Sequence, residues 1–116
     1  MKNETFRNLV AATEYTLPAT EKYPNEDRIL KTTNELLNKK LVASCQVVES
    51  NSKWHWKNEI EGAKEYLLFM KSKKSLSKEI FEVIKSIHSY DCFEFAIFSL
   101  ESCNEDYLKW IDEETK

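Results

Sequence analysis

Five side chains in this 116-residue chain carry nitrogen or sulfur ligands of the kind soft metal ions prefer: His55, His88, Cys45, Cys92 and Cys103. His88 and Cys92 stand four positions apart, a His-x-x-x-Cys pair that makes half of a soft-metal site wherever the backbone turns helically. The competing role is structural: a helix-terminal histidine bonds to backbone carbonyls, and a buried cysteine is inert. His55 lies between Trp54 and Trp56. In an extended strand the two tryptophans share one face, and Lys53, His55 and Lys57 share the other, which makes His55 a solvated surface residue. The tryptophans are expected to cover a core or contact another subunit. Cys103 is expected to be a loop thiol. A thiol enzyme needs a base within reach and a group to orient it, and no spacing pairs Cys45 with either histidine in that way, so no catalytic residue is expected.

Composition narrows the partners. The formal net charge is -3 and the lysines are interleaved with acids, which argues against a nucleic-acid footprint. Gly62 is the only glycine, so no glycine-rich phosphate cradle can be built. The start, Met1-Lys2-Asn3-Glu4-Thr5-Phe6, lacks the apolar core of a signal peptide, and no run approaches the roughly eighteen apolar residues of a membrane span. Three dispersed cysteines suit reduced thiols. The expectation is one soluble, cytoplasmic domain over residues 1–116.

The elements that must position these groups follow from periodicity. A first strand is expected from Phe6 to Tyr15, then a polar connector holding both prolines, Pro18 and Pro24. Asn25 suits an N-cap, and Ile29, Leu30, Thr33, Leu36 and Leu37 form one helical stripe, with Lys39 and Lys40 in the last turn. Leu41 to Val48 and Ser52 to Lys57 form a long interrupted strand that turns at Lys57-Asn58. The run Glu65-Tyr66-Leu67-Leu68-Phe69-Met70-Lys71 suits a central strand covered on both faces. Ser75 or Ser77 can cap a second helix carrying Leu76, Ile80, Val83, Ile84 and Ile87, which ends near His88. Phe93 to Leu100 is a last strand, and Asn104-Glu105-Asp106 opens a short helix with Tyr107, Leu108, Trp110 and Ile111. The order strand, helix, strand, strand, helix, strand plus a terminal helix is an α+β, ferredoxin-like split β-α-β sandwich with an antiparallel sheet.

Ordered segments of the chain resemble the CutA divalent-cation tolerance proteins. Pro24-Asn25-Glu26 opens the first helix as in that family, and Lys40-Leu41-Val42-Ala43 resembles its Arg-Leu-Ala-Ala stretch. Trp54-His55-Trp56-Lys57-Asn58 with Ile60-Glu61 and Glu65 resembles its aromatic-x-Trp-x-Gly-x-Ile-Glu hairpin. Leu67 to Lys71 resembles the apolar strand ending in Lys, and His88-Ser89-Tyr90-Asp91, with Glu94 beyond, resembles His-Pro-Tyr-Glu followed by Pro-Glu. Tyr107 and Trp110 match the closing helix. The resemblance runs from about Pro24 to Trp110.

It implies a homotrimer with ligand clefts between subunits, a role in the response to metal ions, and copper or a similar metal near His88, with Cys92 and Cys45 as further metal candidates. Trp56, Glu61, Lys71 and Tyr90 are the expected lining of an intersubunit pocket; the simpler role for them is packing and ion pairing at the interface. The other function considered is a trimeric small-ligand sensor or adaptor resembling PII-like signalling proteins. There are departures. Asn58 replaces the turn glycine, Ser89 and Phe93 replace two prolines, and counted without a gap the family's cysteine falls on Ser44. A one-residue slip moves a strand side chain to the opposite face, so Cys45 inherits that role only if a gap intervenes.

Overall fold

The structure, a computed structural model, describes residues 8–16, 25–87 and 93–116. Strand β1 (Asn8–Thr16) is followed by helix α1 (Asn25–Asn38), strands β2 (Ser44–Trp56) and β3 (Glu59–Ser72), helix α2 (Ser77–Ile87), strand β4 (Phe95–Ser99) and helix α3 (Glu105–Glu114). The sheet order is β2-β3-β1-β4 with antiparallel neighbours throughout, the arrangement expected of a split β-α-β sandwich. β3 is central, as its continuous apolar run requires. β2 and β4 are the edges.

Helix α1 ends in a Schellman closure. The Leu41 amide bonds to the Leu36 carbonyl and the Lys40 amide to that of Leu37, both at 3.0 Å. Lys40 takes the left-handed position (φ 57°) that glycine usually fills. Leu41 and Val42 therefore precede β2 rather than belong to it, and both are buried. The stripe on α1 is also rotated from expectation: Ile29, Thr32 and Leu36 are buried, whereas Leu30 and Leu37 are exposed. Thr32 is tolerated inside because its hydroxyl donates to the Arg28 carbonyl at 2.8 Å. α2 is entered through a 3₁₀ turn, Lys74–Leu76, and the Ser77 hydroxyl donates back to the Lys74 carbonyl at 2.8 Å instead of capping the helix.

The β2–β3 hairpin pairs without interruption from Ser44 opposite Lys71 to Trp56 opposite Glu59. The expected break between Val48 and Ser52 is absent. Lys57 and Asn58 close the hairpin with φ of 50° and 67°, the pair of positive values a two-residue type I′ turn requires. The long hairpin fits the elongated shape of the chain, 49 × 27 × 21 Å.

Register divides β3 into two faces. Tyr66, Leu68 and Met70 pack with Ile29 and Leu36 of α1, Ile80 and Ile84 of α2, and Leu41, Val42 and Leu76 into the main core. Phe93 and Phe95 join its margin, each stacked on or edged against Phe81. α3 closes a second, smaller cluster: Leu108 and Ile111 with Ala43, Cys103 and Tyr107. Lys73 ties it down, its Nζ lying 3.2 Å from Asp112 and donating to the Lys116 carbonyl at 3.1 Å.

Candidate functional site

The opposite face of the sheet carries neither α1 nor α2. By register it runs along β2 as Ser44, Gln46, Val48, Ser50, Ser52, Trp54 and Trp56, and along β3 as Lys71, Phe69, Leu67, Glu65, Ala63, Glu61 and Glu59. Leu67 and Phe69 are only partly buried, and Val48 and Trp56 are 46% and 50% exposed. Phe98 of β4, opposite Leu9 and hence on this same face, is 52% exposed.

Three of the expected pocket residues, Trp56, Glu61 and Lys71, share this face. They do not meet within one protomer. Glu61 and Lys71 stand ten positions apart on one strand, about 33 Å at ~3.3 Å per residue. Lys71 donates from Nζ to Gln46 Oε1 across the hairpin base, while the Lys57 ammonium lies 5.8 Å from the centroid of the Trp56 ring at the tip. A pocket that uses all three must combine the tip of one chain with the base of another. Tyr90, with the metal candidates His88 and Cys92, lies outside the described residues.

Cys45 is set apart from this group. It pairs with Met70 and packs against the main core, on the face opposite Lys71 and Trp56. Burial pushes its thiol from an ordinary 9.0 up to about 12, an effect that the Lys71 ammonium only partly opposes. It offers a protonated thiol, not a thiolate. The neighbouring Ser44 hydroxyl, on the open side of the strand, is buried without a hydrogen-bond partner. The one-residue offset therefore matters physically: the gapless count places serine on the open face and turns the cysteine into the core. His55 is exposed opposite Ile60 near the tip, and Cys103 is a loop thiol whose Sγ lies 3.6 Å from Asn104 Oδ1. Among the described residues no three of His, Cys, Asp and Glu come together as a metal cluster.

A shallow depression on the open face is lined by Ser50, Ser52, Glu65, Leu67 and Glu94. Ser50 and Ser52 hydrogen-bond to each other at 3.3 Å, and Glu65 lies directly opposite Ser50. Motif matching singles out Glu65 and Glu94 but gives them no joint role. The available signal is the Ser-x-Ser spacing, which places both hydroxyls on one face of a strand.

The profile of the CutA1 divalent ion tolerance proteins matches residues 19–114. The chain belongs to the CutA family. The CutA protein of Pyrococcus horikoshii is 34% identical over 94 residues, spanning 81% of this chain and 92% of that protein. The crystal structure of CutA1 from the same organism superposes with a TM-score of 0.80 at 30% identity, covering 94% of this chain and 98% of the other. CutA1 from Oryza sativa reaches a TM-score of 0.82 over 97% of each chain at 22% identity, which speaks to the fold alone. The CutA fold thus extends over nearly the whole chain. Among the described residues no helix is long and apolar enough to cross a membrane.

Proposed function

We propose that this CutA chain acts in divalent-cation tolerance as a homotrimer that takes up copper or a similar soft metal at a cleft between subunits. The observation that carries the reading is the sheet face without α1 or α2, on which Val48, Trp56 and Phe98 remain about half exposed. Apolar residues distributed along a sheet face mark a surface that another chain covers. The edge adds to it. β2 offers an unpaired backbone rim thirteen residues long, with Val47 and Val48 exposed on its two faces, a rim that invites strand pairing unless a partner covers it. A heterologous contact of that kind makes a closed ring when its rotation is a whole fraction of a turn, one third in the trimer proposed here.

The roughly 33 Å between Glu61 and Lys71 supports a cleft built from two chains. His88 and Cys92 are the soft ligands proposed for the metal. Cys45 is the weaker candidate, because its thiol must be ionised in a buried setting before it can bind.

The test has two arms. Native mass spectrometry is expected to give three chains per particle, and a monomeric mass rejects the reading. Cu(I) titration is expected to bind wild type at least tenfold more tightly than His88→Ala or Cys92→Ser, and equal affinity removes the metal assignment. Stabilisation of the trimer by a metabolite in the absence of metal favours the sensor or adaptor role instead.

A further inference from the structure

We draw no further inference here: the strongest candidate, the base of the open sheet face where the buried Ser44 hydroxyl has no hydrogen-bond partner among the described residues beside Lys71 and Gln46, belongs to the surface already assigned to subunit contact, and nothing in the structure shows what covers it.

Discussion

The two faces of β3 are made from one continuous run of residues and meet opposite fates. Leu68 and Met70 are fully buried beneath α1 and α2, whereas Leu67 and Phe69, one position away, are only partly covered. Along the same strand the helix side is almost wholly apolar near the core, while the open side mixes Phe69 and Leu67 with Glu65 and Lys71. One face is finished within the protomer. The other has the composition of an interface, apolar patches interrupted by polar groups, and it is the face on which the proposed assembly rests.

Truncating each face in turn tests that division most strongly. Leu68→Ala is expected to cost about 2–5 kcal/mol in denaturant unfolding, because it opens a cavity in a closed core. Phe69→Ala is expected to cost the protomer clearly less, although it removes more atoms, and to shift the native mass towards smaller species. Equal losses from the two variants at a protein concentration where both are monomeric would erase the distinction.

This division is also where sequence reading succeeded and where it stopped. The run Glu65–Lys71 is legible as a central strand from its consecutive apolar residues, and its place inside the sheet bears that out, while the expected cover on both faces is seen on the helix side alone. The second side, which carries no helix and leaves Leu67 and Phe69 only partly buried, is not legible, since periodicity reports that a residue is apolar and not what packs on it. The Lys57-Asn58 turn is readable from Asn58, which accepts positive φ, though Lys57 takes it as well. On α1 the stripe is rotated because apolarity alone does not rank the positions: Thr32 is buried, its hydroxyl satisfied by the Arg28 carbonyl, while the apolar Leu30 and Leu37 lie exposed. Of the site, the face shared by Trp56, Glu61 and Lys71 follows from strand alternation, but their separation along the hairpin depends on an unbroken pairing that the Ser50-Asn51-Ser52 stretch disguises.

Cys45 sharpens the comparison by titration. Its thiol is neutral up to about pH 12 in the folded chain but ionises near 9.0 once unfolded. The unfolded state therefore sheds the proton first as the pH rises. The stability tied to this group is fully present below pH 9 and is lost between about 9 and 12, at up to ~1.4 kcal/mol per pH unit. Cys45→Ala is expected to lessen the fall of the urea midpoints across the window by this amount, leaving the part that lysine and tyrosine side chains contribute. A slope identical in the variant would mean that burial does not raise the Cys45 thiol, and would return it to the metal candidates.

The smallest expected effect comes from the hairpin arm beyond the helices, where Glu49 and Lys64 pair at 2.8 Å with both side chains about half exposed. Both residues sit on the helix side by register, yet both side chains are about half exposed, so their ion pair is screened by water. Exposed pairs of this kind contribute about 0.2–1 kcal/mol and fade with salt. A double-mutant cycle with Glu49→Gln and Lys64→Met is expected to return a coupling in that range at low ionic strength and close to none in 1 M salt. A salt-insensitive coupling well above 1 kcal/mol would show the arm to be shielded from solvent. The side of the hairpin treated as free would then be covered too, and the contrast between the two faces of β3 would hold only near its base.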